Sequence, residues 1–264
     1  MPLIRTQGIV LRARALGEHD RLVTLYTPDL GRLTAVARGA RRVRSRFGAA
    51  LELFTWGEAV GFERDGRELV RLDHFDIRRS FRRLREDLDR LAHGARMVEA
   101  VLRLTAERDP QPPCFALLLR ALRALETGAV TRVPLAFTLR FLDLLGHRPR
   151  LDRCVGCGRA AGILGNGGRG FDTGRGGLVC AACRPRGGGG GAGGPVSPRA
   201  LAVLRGLQGA AWEARLNARI AAPLEHEAAS LLDAYVATLV GGPLRTSRFL
   251  AQMEQARFPL ARAD

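Results

Sequence analysis

Two cysteine pairs, Cys154-x2-Cys157 and Cys180-x2-Cys183, constrain this chain more than any other feature. A CxxC turn presents two sulfurs to one point, and two such turns can build a single four-sulfur site. The spacer over 158–179 is rich in glycine (Gly158, Gly162, Gly165, Gly167, Gly168, Gly170), so it can double back and bring the pairs together. Four thiolates complete a tetrahedral shell around one Zn2+ and leave no open position, which makes the ion structural rather than catalytic. A redox CxxC or free thiols are the competing readings, and the paired spacing favours metal. The fifth cysteine, Cys114, stands apart beside Phe115 and reads as a small buried residue.

The 264 residues suffice for two domains, and with 46% of them apolar a sizeable core can form. No apolar run is long enough to span a bilayer, and residues 1–10 carry Arg5 and Gln7, unlike a secretory leader. Cytoplasmic placement is expected, in line with cysteines spaced as metal ligands. The formal charge is +16, from 42 basic and 26 acidic side chains, and every basic residue is arginine. Such a chain attracts polyanions. With no lipid anchor or basic amphipathic terminal helix in view, nucleic acid is the better partner than a membrane.

The first ~80 residues read as strands: Gly8 to Ala15, Arg21 to Tyr26, Arg32 to Arg38, Leu51 to Phe62 and Glu68 to Phe75. Thr27-Pro28-Asp29-Leu30-Gly31 is a turn, and Asp65-Gly66 signals a hairpin. Five short strands at this spacing suggest an OB-fold barrel. After Ser80 the period becomes helical. Leu84, Leu88, Leu91, Ala95, Val98 and Leu102 fall on one stripe, and Phe115 to Leu125 make a second. Pro134 and Gly146 bracket a third helix, Ser197-Pro198 reads as a helix start, and Gly241-Gly242-Pro243 stops a helix begun near Pro223. The expected class is α+β and multidomain: an OB-fold nucleic-acid-binding domain over 1–79, then a helical domain over 80–264. A zinc-finger insert at 151–186 and a Gly-rich linker at 187–194 interrupt the second.

Between the third and fourth strands lies a basic loop with Arg38, Arg41, Arg42, Arg44, Ser45 and Arg46. Guanidinium groups grip phosphate oxygens bidentately, Ser45 can add a neutral hydrogen bond, and Gly39 permits close backbone approach. A solvated surface run is the plain alternative, but loops and faces of OB barrels bind single strands. Phe47, Phe54 and Trp56 offer rings for stacking, with Phe54 assigned to the core. Arg78 and Arg79, with Arg82, Arg83 and Arg85, either extend a phosphate track or form a solvated helix face. No catalytic constellation emerges. There is no P-loop, the histidines lack metal spacing, and Glu18, His19 and Asp20 read as turn polars.

These residues carry a family resemblance. Gly8-Ile9-Val10-Leu11, Gly17-Glu18-His19-Asp20, Leu25-Tyr26-Thr27, Gly31, Arg38-Gly39-Ala40-Arg41-Arg42, Ser45-Arg46, and Leu145-Gly146-His147-Arg148-Pro149 before the cysteines resemble the RecO family of bacterial repair and recombination proteins. The resemblance covers most of the chain. It implies an N-terminal OB-fold, a helical domain with a zinc finger, and no enzymatic turnover. It also implies binding of single- and double-stranded DNA and annealing of complementary strands. RecR is the implied co-worker in loading RecA onto DNA coated by single-strand-binding protein, sometimes with RecF. The acidic C-terminal tail of single-strand-binding protein is expected to be drawn to the basic helical domain. A cytoplasmic, nucleoid-associated location follows. The all-arginine loop and the poly-Gly run depart from the family's usual pattern. A zinc-ribbon regulator that reads duplex sequence and a CxxC redox enzyme are the rival functions. The first needs a recognition helix, and none is evident.

Overall fold

The computed structural model describes residues 2–63, 69–161, 169–184 and 195–257. The Asp65-Gly66 hairpin, spacer glycines 162–168 and the 187–194 linker lie outside the described residues. The chain forms two compact units, 1–127 and 128–264.

The first unit contains strands β1 (Leu3–Leu16), β2 (Asp20–Thr27), β3 (Gly31–Ala37), β4 (Trp56–Phe62) and β5 (Val70–Arg79). They close a barrel in the order β1-β2-β3-β5-β4, the five-stranded OB arrangement, with β3–β5 the one parallel pair. Alternation drives closure. Leu33, Ala35 and Ala37 enter the core while Arg32, Thr34 and Val36 point out half-buried. β1 serves two neighbours. Residues 3–9 pair with β4 and 9–16 with β2, with an irregularity between Val10 and Arg12 where the strand bends. The expected turn before β3 is built by Thr27, whose hydroxyl donates to the Gly31 carbonyl (2.9 Å) and accepts from Leu30 N–H (3.0 Å). Gly31 has φ +65°, and a Cβ there would lie 2.2 Å from the Asp109 carbonyl oxygen, so glycine is required twice over.

The strand expected from Leu51 starts instead at Trp56. Residues 38–55 form consecutive turns that cap the barrel, because Ala40, Phe47, Ala50 and Leu51 drop into its core. Phe54, fully buried, has φ +73°, and the chain rejoins β1 through Phe54 N–H to Val10 O and Val10 N–H to Thr55 O, both 2.9 Å.

The single long stripe expected after Ser80 is two helices, α1 (Arg82–Glu86) and α2 (Leu88–Leu104). Asp87 between them is extended and caps α2 by accepting from Arg90 N–H (3.0 Å), so the phase restarts. α2 buries Gly94, Met97, Val98 and Val101, while Leu88 is 54% exposed. Gly94 faces the Phe54 ring, where a Cβ would come within 2.8 Å. α3 (Pro112–Leu125) lays Phe115 against Tyr26 (ring centroids 6.2 Å).

The second unit holds α4 (Arg132–Leu144), β6 (Gly170–Asp172), β7 (Gly177–Val179), α5 (Pro198–Gly209), α6 (Trp212–Asn217), α7 (Ala222–Val240) and α8 (Arg245–Arg257). The caps match the sequence signals. Ser197 accepts from Ala200 N–H, Pro198 opens α5, and Gly241 ends α7 at φ +77°. α4 is buried almost throughout, and Phe137 stacks on Phe141 at 5.1 Å. It is tied to α7 by a buried bidentate pair, Arg132 Nε and Nη2 to the two Glu225 oxygens, each 3.0 Å. No helix among the described residues is long and apolar enough to cross a membrane.

Candidate metal centre and nucleic-acid interface

The four predicted ligands converge. The Sγ atoms of Cys154, Cys157, Cys180 and Cys183 all lie within 4.8 Å of one another, and Cys157 and Cys180 are 3.8 Å apart. A tetrahedral thiolate shell with bonds of about 2.3 Å has edges of about 3.8 Å, whereas a disulfide bond is about 2.05 Å long. The set therefore fits a metal ion. Local backbone explains the convergence. Gly158 N–H donates to Cys154 O (2.9 Å) and Cys183 N–H to Cys180 O (3.0 Å), which closes two knuckles. Gly156 must be glycine, since a Cβ would meet that of Cys183 at 2.8 Å. The β6–β7 ribbon joins the pairs and is anchored by Phe171, edge-on to Tyr235 of α7 at 5.5 Å.

Electrostatics favours a cation here. Burial pushes the Cys154 thiol up, but N–H groups of Cys180, Cys157 and Gly156 aimed at its sulfur outweigh this and bring it down to about 6. Cys183 moves the other way, pushed up to about 12 by hydrogen bonding to the Cys180 and Cys157 sulfurs. Four adjacent thiols shed their last protons when a cation balances the charge.

The arginine loop is pinned at its base. Asp20 accepts from Gly39 N–H (2.8 Å), Arg41 N–H donates to His19 O (2.9 Å), and Arg42 and Ser45 N–H groups continue the turns. Arg38, Arg41, Arg42, Arg44 and Arg46 are exposed and Ser45 half-buried. They divide into two sets. Arg41 donates to the Gly17 carbonyl (2.8 Å), and Arg46 pairs with Asp73 (3.0 Å) over the Phe47 ring. Arg38, Arg42 and Arg44 have no carboxylate partner among the described residues. The Ser45 hydroxyl accepts from Phe47 N–H (3.2 Å). Phe47 itself is buried, so it offers no stacking surface, because the loop needs it as an anchor.

Arg78 and Arg79 are not gathered with this loop. Arg79 pairs in register with Trp56, seven residues along β5 from Leu72, the register partner of Ala37. Arg78 binds Glu58 (3.2 Å), which Arg5 also holds, and these two partners keep the Glu58 carboxyl below the usual carboxylate range. Arg79 pairs with Glu126. Trp56 is flanked by Arg78 and Arg123 at 5.9 and 5.0 Å, which occupies its ring. Sequence reading missed that Asp20 positions the loop. Its adjacency to Gly17, Glu18 and His19 was visible, but its bond to Gly39 spans 19 positions.

Family models agree along the chain. Residues 1–81 match the model "Recombination protein O N terminal" and 85–248 match "Recombination protein O C terminal". The chain is 39% identical over 259 residues to the DNA repair protein RecO of Anaeromyxobacter sp. (strain K), covering 96% of this chain and 98% of that one. It is 37% identical to the RecO of Symbiobacterium thermophilum (97% and 100% covered) and 33% identical to that of Desulfatibacillum aliphaticivorans (98% and 100%). By these matches along nearly its whole length, this chain belongs to the RecO family of DNA repair and recombination proteins.

Proposed function

We propose that this chain is a recombination mediator that binds single- and double-stranded DNA, anneals complementary strands and, with RecR, assists RecA loading onto DNA coated by single-strand-binding protein. RecF joins as a further partner, and the acidic tail of single-strand-binding protein is held by the basic helical region. Turnover is not part of this role. The nucleic-acid-binding domain is 1–79, and the place of action is the cytoplasm at the nucleoid. One structural Zn2+ sits in the four-cysteine site, since soft thiolates suit it and a closed shell excludes substrate.

The observation that carries the reading is the pinned loop with three exposed guanidinium groups that have no carboxylate partner among the described residues. Two single strands repel each other through their phosphates. A basic protein displaces counterions and concentrates both strands, so pairing proceeds. Contacts to phosphate ignore sequence, as general repair requires. Changing Arg38, Arg42 and Arg44 to Ala is expected to weaken single-strand binding and to reduce the slope of log affinity against log salt by about 2, at ~0.7 per phosphate. Fluorescence anisotropy across a salt series reads this. An unchanged slope in a folded variant would overturn the loop assignment.

A further inference from the structure

Arg215 of α6, in the second unit, is only 6% exposed, and no carboxylate pairs with it among the described residues. Its Nε donates to the Ala210 carbonyl (2.9 Å) and its Nη2 to the Gln208 carbonyl (3.2 Å). It therefore closes the C-terminal end of α5, where the helix dipole favours a cation. Its Nη1 is buried with no hydrogen-bond partner.

A helix cap alone does not call for more cations, yet two more gather here. Gly146, at φ +79°, turns the chain back at the end of α4, and His147 N–H donates to the Leu142 carbonyl (2.8 Å). The turn returns Arg148 to Asp143 of α4 at 3.3 Å, while Arg140 holds the other oxygen of the same carboxylate. Gln208 ties the turn to α5 by donating to the Pro149 carbonyl (2.9 Å). Burial lowers the Arg215 pKa. The nearby charges of Arg140 and Arg148 lower it further, and Asp143 offsets part of this. Three guanidinium groups thus share one carboxylate, a surplus of two positive charges at one place. Exposed ion pairs contribute little to stability, so the gathering is not explained by the fold's own needs.

We propose that this cluster binds a phosphate monoester, the group carried by a free nucleotide and by a 5′-phosphorylated DNA end. Arg140 and Arg148, with side chains 45% and 54% exposed, touch the ligand. Their guanidinium forks match phosphate oxygens bidentately. Arg215 beneath them is a fixed positive charge, and its burial lets that charge act through a low dielectric. A monoester carries a charge of about −1.5 to −2 at neutral pH and three acceptor oxygens, which matches the surplus. An internal phosphodiester or a carboxylate brings a single negative charge and leaves part of the surplus unbalanced. Asp143 competes with the ligand for the same two arginines, so it sets the affinity from within the site.

The test uses the full chain and two probes. Calorimetry measures adenosine 5′-monophosphate against adenosine and against acetate at equal ionic strength. Fluorescence anisotropy compares one oligonucleotide with a 5′-phosphate or a 5′-hydroxyl. Arg140→Gln/Arg148→Gln, at two exposed positions, is expected to weaken monophosphate binding at least tenfold, in the range of one lost charge-assisted bond. Asp143→Asn keeps both arginines and is expected to tighten it about threefold. A preference for the phosphorylated end that the double variant loses assigns the site to DNA ends. Monophosphate binding without that preference assigns it to free nucleotides. The proposal is overturned if the monophosphate binds no better than adenosine or acetate and the oligonucleotides bind alike. It is equally overturned if the folded double variant binds unchanged, or if Asp143→Asn binds no tighter. Binding of the 5′-hydroxyl oligonucleotide reports the arginine loop separately, so either reading can fail without the other.

Discussion

Replacing Cys154 and Cys157 by Ala is expected to abolish metal binding and unfold the segment around β6 and β7. Structural zinc sites contribute an apparent binding free energy of about 10–16 kcal/mol at neutral pH, against a whole-domain stability of about 5–15 kcal/mol. Losing half the ligands removes the cross-link between the knuckles and leaves the three-residue strands β6 and β7 to the Phe171–Tyr235 contact and to backbone bonds of Leu178 with Arg150 and Val155. Phe171, Leu178 and Val179, all buried, would then be exposed to water, at about 1.5–3 kcal/mol each. Elemental analysis should fall from about one zinc per chain to none, with the second unit melting earlier. A strong chelator should reproduce the effect on the unaltered chain. A variant that melts normally would show that packing alone sustains the insert.

The next largest effect is expected at Arg132. Both members of its pair with Glu225 are buried, with 7% and 10% side-chain exposure, and Arg132 also donates to the Ala218 carbonyl. Arg132→Met leaves a carboxylate buried without its partner and should cost about 3–5 kcal/mol. Removing both charges, as Arg132→Met/Glu225→Leu, should recover most of that loss, since the pair's own desolvation cost goes with it. Denaturant titration of the two variants decides this. Equal destabilisation of single and double variants would place the cost in lost packing instead of in the orphaned charge.

The sequence exposed those parts of the fold that rest on local chemistry. The CxxC pairs, the Thr27–Gly31 turn, the Ser197 cap and the Gly241 stop each carry their geometry within a few residues. β3 was legible from its alternation. The Leu51 start was not, because Phe47, Ala50 and Leu51 are apolar for a different reason: they plug a barrel end. The helix stripe failed at Asp87, whose capping restarts the phase, and at Gly94, whose value is the room it leaves for Phe54. Sequence reading found the five arginines but could not sort them. Which are free depends on Asp73 and the Gly17 carbonyl, which lie far along the chain from Arg46 and Arg41. For the same reason Arg78 and Arg79 looked available until Glu58 and Glu126 appeared beside them.

Whether this basic protein joins complementary strands through its barrel is decided by the annealing rate of complementary oligonucleotides coated with single-strand-binding protein. The chain should accelerate annealing, the acceleration should fall as salt rises, and the Arg38, Arg42 and Arg44 to Ala variant should lose most of it. No acceleration by the folded, zinc-loaded chain at any salt concentration would contradict it.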